Sequence, residues 1–164
     1  RNDPSGGWNQ SAEAWIRFVD EGDANRTHLL DPVMLKLCGD VRGLKTLDVG
    51  CGEGRFCRML SERGALVTGL EPTSRLLDEA RKRDPSGRYE SGDAARLPFA
   101  DCVFDLVVSY VALVDIADYR GAIREKARVL KPGGRVILAN LQPFATTRMG
   151  QVGVLGCELL DQLD

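Results

Sequence analysis

One stretch constrains this chain more than any other: Leu47-Asp48-Val49-Gly50-Cys51-Gly52-Glu53-Gly54-Arg55-Phe56. A short apolar strand ends at Val49, alternating glycines follow, and a helix begins near Arg55. Alternating glycine lets the backbone turn sharply and removes the Cβ atoms that would hold a ligand at a distance. The helix that follows opens with free N–H groups. Strand, glycine turn and helix in that order form the first crossover of an open α/β sheet, where ligands bind beyond the carboxyl ends of the strands. The loop from Gly50 to Gly54 is therefore predicted to approach a small ligand closely.

The same rhythm continues. After the first strand (Thr46 to Val49) come a helix from Arg55 to Arg63, a strand from Leu66 to Leu70, and a helix from Ser74 to Arg83 that packs through Leu76, Leu77 and Ala80. A weak strand at Arg88 to Glu90, an apolar strand from Phe104 to Tyr110, a helix from Tyr119 to Leu130 and a strand from Arg135 to Leu141 complete it. Short apolar strands alternating with amphipathic helices predict an α/β fold with a doubly wound, mostly parallel sheet. Ahead of it, Ser11 to Asp20 and Thr27 to Leu37 read as two helices, with Pro32 confined to a first turn. The chain thus divides into an N-terminal helical segment, residues 1–42, and a ligand-binding domain, residues 43–164, together one structural domain.

Which ligand follows from charge and spacing. The dinucleotide fingerprint is GxGxxG, whereas this loop is GxGxG and carries Asp48 and Glu53. Two carboxylates repel a pyrophosphate and tolerate a sulfonium cofactor bearing an ammonium group. Glu71 ends the second strand, about 20 residues past Gly50, where an acidic side chain can accept hydrogen bonds from ribose hydroxyls; it also reads as a cap before Pro72. Asp93, in Gly92-Asp93-Ala94, can accept from an adenine amine, with the Ala94 N–H beside a ring nitrogen; it also reads as a turn aspartate.

These segments in order, with Leu97-Pro98-Phe99, Phe104-Asp105-Leu106-Val107 and Arg128-Val129-Leu130-Lys131-Pro132-Gly133-Gly134, resemble the successive signatures of class I, Rossmann-like S-adenosyl-L-methionine (SAM)-dependent methyltransferases. The likeness is closest to the small-molecule branch that includes ubiquinone and menaquinone biosynthesis enzymes, and it spans roughly Gly43 to Leu141. The resemblance implies that SAM binds, leaving as S-adenosyl-L-homocysteine. Gly50, Cys51, Gly52 and Gly54 then line its methionine and ribose side. Asp48 orders the loop or meets the ammonium through water, and Glu71 holds the ribose. Leu70 or Pro72 lies on the adenine, with Asp93 and Ala94 at its edge. Ser109 and Tyr110 sit near the methionine moiety, and Arg26 meets the methionine carboxylate or pairs with Asp23. Lys131-Pro132-Gly133-Gly134 is a helix stop feeding the fifth strand, without chemistry.

The cofactor brings the reactive methyl group, so a general base is optional. The sole histidine, His28, is the candidate base, Tyr110 and Asp115 are candidate catalytic residues where the acceptor enters, and Gln142 and Phe144 can line the acceptor pocket. Residues 1–42 resemble the N-terminal helical lid that precedes the first strand in this family, and Trp8 and Trp15 read as its packing. No Asn/Asp-Pro-Pro-Tyr run follows the fourth strand and no Pro-Cys pair occurs, which leaves O-, N- or C-methylation of a small molecule. A net charge of −2 offers no polyanion surface, so no nucleic-acid partner is expected. Five scattered cysteines without a CxxC exclude a zinc motif, no metal is expected, and reduced thiols suit a cytoplasmic protein. No apolar run spans a membrane.

Two strands that usually complete this fold do not fit in the 23 residues after Leu141, where Val152 to Leu155 reads as a strand and Glu158 to Leu163 as a helix. The C-terminal strands read as incomplete. The chain begins at Arg1 rather than Met and is expected to be a piece of a longer protein, or to pair its open edge with a second copy. A non-catalytic scaffold module and an NAD-dependent oxidoreductase are the alternative readings, the latter opposed by the GxGxG spacing.

Overall fold

The computed structural model describes residue 5, residues 7–140 and the backbone of residues 152–156. Six strands form one sheet in the order β3-β2-β1-β4-β5-β6: β1 (Lys45–Val49), β2 (Leu66–Glu71), β3 (Arg88–Ser91), β4 (Phe104–Tyr110), β5 (Leu130–Ala139) and β6 (Val152–Gly156). β1 to β5 run parallel, and β6 is antiparallel to β5. The order reverses at β1, which lies between β2 and β4, so the crevice of a doubly wound sheet opens above the end of β1. Among the described residues, five α-helices accompany the strands: α1 (Trp8–Gly22), α2 (Asp31–Cys38), α3 (Arg55–Ser61), α4 (Ser74–Arg83) and α5 (Tyr119–Arg128).

Strand side chains alternate between faces, and the core divides accordingly. Leu106, Val108 and Tyr110 of β4 join Phe56, Cys57 and Leu60 of α3, Leu77 and Ala80 of α4, and Met34 and Cys38 of α2. Val107 of β4, with Leu47 and Val49 of β1, joins Ala122 of α5 and Val129. Lys126 shares the buried stripe of Ala122 on α5 and is 1% exposed. Its Nζ has no hydrogen-bond partner among the described residues, and burial draws its pKa down to about 8.

Three boundaries differ from the sequence expectation. α1 is longer at both ends, beginning at Trp8 and ending at Gly22, whose φ of 101° stops it. The second expected helix is broken in two. A π-helical turn, Arg26–Leu30, precedes α2, and the Asp31 N–H reaches back five residues to the Arg26 carbonyl. Pro32 supplies no N–H, so the wider turn falls where the α-helical ladder would be interrupted anyway. α5 stops at Arg128, and Lys131-Pro132-Gly133-Gly134 lies inside β5 rather than ahead of it. Leu130 pairs with Phe104, and the ladder resumes at Arg135 opposite Leu106. The extra residues bulge out through Gly133 at φ 76°, and Lys131 Nζ on Asp105 Oδ1 at 2.7 Å straps the bulge to β4.

The strand expected at Val152 to Leu155 is β6. The helix expected at Glu158 to Leu163, and Gln142 and Phe144, lie outside the described residues. Among the described residues no helix is long and apolar enough to cross a membrane.

Candidate functional site

A cavity of about 520 Å³ opens above the carboxyl ends of β1, β2 and β4. Its first wall is the glycine loop. Val49 ends β1, and the chain turns back so that the Gly50 and Cys51 N–H groups donate to the Leu70 carbonyl at 2.8 and 3.1 Å. Gly50 has φ 82°, and a Cβ there would lie 2.3 Å from the Cβ of Ala112. Only glycine lets the loop after β4 press this closely on the loop after β1.

Glu71, 6% exposed at the end of β2, ties this wall together. Its Oε2 accepts from the Gly52 N–H and its Oε1 from the Thr73 N–H, both at 3.0 Å. Burial raises its pKa, and these two N–H groups and the Thr73 hydroxyl pull the other way. With three donors on about four acceptor positions, one lone pair stays available to a ligand. Asp93 stands at the far end, its Oδ1 accepting from the Ala95 N–H at 2.9 Å.

Beneath the loop lie two carboxylates with orphaned oxygens. Asp48 Oδ2 accepts from the Cys57 thiol at 3.3 Å, and Oδ1 has no partner among the described residues. Burial pushes the Asp48 pKa up to about 7, the Cys57 thiol opposes that shift, and Glu53 and Glu71 add to it. Glu53 is 2% exposed and its Oε1 is likewise unpartnered.

The second wall is built from distant segments. Arg26, on the π-helical turn, places its guanidinium 4.8 Å from the Trp15 ring centroid and 5.0 Å from that of Tyr110. It also sits 3.4 Å from Asp23 Oδ2, the expected Asp23 pair, while lining the cavity. The Tyr110 ring packs edge-on against Phe56, and its hydroxyl donates to Asp31 Oδ1 at 2.8 Å. Arg55 grips both oxygens of the same carboxylate. Trp8 packs edge-on against Trp15 and hydrogen-bonds Asp115, which ends a 3-10 turn (Leu113–Asp115). Burial raises the Asp115 pKa and the Trp8 contact opposes it. Val111, which starts this loop, takes φ 59°, a left-handed conformation that a β-branched residue rarely adopts.

Comparison with known proteins reads the same segments. A family model described as a methyltransferase domain matches residues 47–138, more than half of the chain. The chain belongs to this methyltransferase domain family. The matched methyltransferase domain runs from β1 to the end of β5 and contains the entire first wall. Among curated relatives, the malonyl-[acyl-carrier protein] O-methyltransferase of Serratia marcescens is 35% identical over 108 residues, 66% of this chain and 42% of the relative. The demethylmenaquinone methyltransferase of Deinococcus radiodurans is 39% identical over 114 residues, 66% of this chain and 47% of the relative. The chain thus spans less than half the length of these relatives. Among solved structures, an S-adenosylmethionine-dependent methyltransferase from Mesorhizobium loti superposes with a TM-score of 0.67 at 29% identity, covering 82% of this chain and 65% of that one.

The structure gathers most of the expected side chains around the cavity. Gly50, Cys51, Gly52, Glu71, Pro72, Asp93, Ala94, Tyr110, Asp115 and Arg26 all line it, whereas Asp48 lies just below. Three expected residues stand elsewhere. Ser109 turns into the sheet and donates to the Val49 carbonyl at 3.0 Å, because side chains alternate along β4 and Tyr110 takes the cavity position. Gly54 caps α3 away from the cavity, where a Cβ would lie 2.8 Å from the Tyr89 ring. His28 is exposed on the π-helical turn and does not line the cavity. Tyr110 presents its ring, its hydroxyl being given to Asp31, with its pKa raised by burial and by that carboxylate; it is poorly placed to act as a base.

Asp31 and Arg55, which set the Tyr110 ring, went unread in the sequence. An aspartate before Pro32 announces a helix start, and nothing local announces a partner 79 residues away.

Proposed function

We propose that this chain binds SAM in the cavity and transfers its methyl group to oxygen, nitrogen or carbon of a small-molecule acceptor. The observation that carries the reading is the pattern of unmet carboxylate capacity along one wall. Glu53 Oε1 and Asp48 Oδ1 are buried without partners, and a buried carboxylate without a donor is costly. Glu53 lines the cavity, so its charge favours an ammonium group bound beside it. Glu71 keeps its remaining lone pair for a ribose hydroxyl, and Asp93 its second oxygen for an exocyclic amine. A Cβ on Gly52 would meet nothing closer than the Trp15 indole nitrogen at 4.0 Å, so the bare backbone leaves an open cradle. The same carboxylates oppose a pyrophosphate, which disfavours a nicotinamide dinucleotide.

Bound there, SAM supplies a methyl group already activated on a sulfonium. The chain's own residues hold, align and exclude water. The loop N–H groups and Glu71 fix the adenosyl end. Arg26 is placed for a carboxylate, and the Trp15 and Tyr110 rings hold its guanidinium in place. Trp8 and α1 close the cavity from above as a lid. Alignment of two reactants is worth about 7–11 kcal/mol at best, which is the share a chain without an obligatory base must supply. The names of the two curated relatives share methyl transfer and differ in the acceptor, so the likeness supports the reaction and leaves the acceptor open.

Calorimetric titration of the purified chain with SAM, S-adenosyl-L-homocysteine and NAD tests the reading. Saturable binding of both adenosyl compounds without NAD is the expected result. A folded chain that binds neither adenosyl compound would favour a non-catalytic scaffold.

A further inference from the structure

The cavity holds one carboxylate that the cofactor contacts leave over. Granting the proposed function, Glu53, Glu71 and Asp93 face the cofactor. Asp118 is the cap of α5, its Oδ1 accepting from the Gly121 N–H at 2.8 Å. Asp115 has neither duty. It sits in the cavity wall on the turn after β4, and its hydrogen-bond partner is the Trp8 side chain. A single indole N–H occupies one of about four acceptor positions on a carboxylate. Around it the wall is apolar: Trp8, Val111, Val114 and Ile116. Val114 is 47% exposed although it lines the cavity, as a surface awaiting an apolar ligand would be.

Charge completes the argument. Arg26 is the one cation among the described lining residues, and the cofactor reading assigns it to the methionine carboxylate. Five carboxylates face it across the cavity: Glu53, Glu71, Asp93, Asp115 and Asp118. An anionic acceptor entering here meets repulsion with no unpaired cation to receive it, and a cation is drawn in.

We propose that the methyl acceptor is an apolar amine, its nitrogen seated on Asp115 and its hydrocarbon part against Trp8 and Val114. This rests on the cofactor reading above. The amine arrives as an ammonium ion and passes one proton through Asp115 to solvent. The lone pair so released forms the new C–N bond while the C–S bond breaks, its electron pair staying on sulfur. A sulfonium and an ammonium become a thioether, a methylated ammonium and a free proton, so charge and atoms balance.

Both tryptophans of the chain, Trp8 and Trp15, line the cavity, so intrinsic fluorescence reports on its occupancy. The chain saturated with S-adenosyl-L-homocysteine is titrated with 2-phenylethylamine, 2-phenylethanol and phenylacetate. The amine is expected to bind at least about tenfold more tightly than the alcohol or the acid, as a charge-assisted contact requires. Asp115→Asn keeps an acceptor for Trp8 and removes the charge. It is expected to erase the advantage of the amine while leaving S-adenosyl-L-homocysteine affinity, read by calorimetry, within about threefold. Equal or tighter binding of the alcohol or the acid, no saturable amine signal, or an amine affinity that survives Asp115→Asn would overturn the proposal. If S-adenosyl-L-homocysteine itself fails to bind, the cofactor reading falls, and the three probes titrated into the free chain still decide for or against Asp115.

Discussion

The two walls of the cavity are built by different means. The wall over β1 and β2 is held by backbone groups and one carboxylate close in sequence: Gly50 and Cys51 on the Leu70 carbonyl, Gly52 and Thr73 on Glu71. The wall made by α1, the π-helical turn and the loop after β4 is held by side chains from remote segments. Trp8 meets Asp115, Arg26 lies between Trp15 and Tyr110, and Asp31 receives both Tyr110 and Arg55. A wall made of backbone geometry is rigid and shape-specific, and it suits a ligand that never changes. A wall of long-range side-chain contacts can vary without unmaking the sheet, and it suits the part of a site that chooses an acceptor.

The sharpest way to break this contrast is Glu71→Ala. If the first wall alone holds the cofactor, the substitution removes a buried charged acceptor and orphans the Gly52 and Thr73 N–H groups. Hydrogen bonds to a charged group are worth about 1.5–3 kcal/mol each, so two of them predict about a 1000-fold loss of S-adenosyl-L-homocysteine affinity by calorimetry. A loss under about tenfold would place the binding energy in the second wall instead.

Asp31→Ala attacks the second wall. Asp31 and Arg55 side chains are 6% and 25% exposed, and removing one partner of a buried pair leaves the other uncompensated, at about 3 kcal/mol or more. Urea unfolding is expected to show that loss. Cofactor affinity is expected to fall far less than in Glu71→Ala, because Asp31 acts on the cavity only through the Tyr110 ring.

The glycine loop separates the two roles within one wall. Gly50→Ala places a Cβ against Ala112 in a left-handed conformation, and the strain and overpacking together predict a loss of about 3 kcal/mol in stability. Gly52→Ala bears the conformational strain alone, about 1–2 kcal/mol, since only the Trp15 nitrogen lies near its Cβ. It is expected to reduce ligand binding more than stability. Thermal melts with and without S-adenosyl-L-homocysteine measure both, and equal melts for the two variants would contradict the close approach of the loops.

This division also explains what could be read in the sequence. The sheet, its order of elements and the first wall were legible because glycine spacing, strand ends and the acidic residues after them are local signals. The second wall was not. Tyr110 was expected near the ligand, but its hydroxyl faces Asp31, 79 residues away, and no periodicity encodes that pairing. Ser109 and Tyr110 were both expected at the cavity, yet alternation along β4 permits only one. The bulge at Gly133 hid inside β5 because Lys131-Pro132-Gly133-Gly134 has the composition of a turn, and only the pairing of Leu130 with Phe104 shows that the strand has already begun.

A last effect concerns the buried acid under the first wall. Burial raises the Asp48 pKa from its usual carboxylate value to about 7, with Glu53 and Glu71 adding to the rise. In the unfolded chain the group ionises near 3.8. Between those values the native state holds a proton that the unfolded state has released, so this stabilisation is full below about pH 4 and declines as pH rises towards 7. At about 1.4 kcal/mol per pH unit for one proton, the decline from pH 5 to pH 7 amounts to about 2 kcal/mol. Asp48→Asn is neutral throughout and is expected to remove that part of the slope when urea midpoints are compared at pH 5 and pH 7. With S-adenosyl-L-homocysteine bound, the slope is expected to be shallower in the unsubstituted chain as well. The ammonium group of the ligand beside Glu53 would favour the ionised form of Asp48. A slope indifferent to both the substitution and the ligand would mean that the carboxylates under the glycine loop serve its fold alone, and that the first wall recognises its ligand by shape without charge.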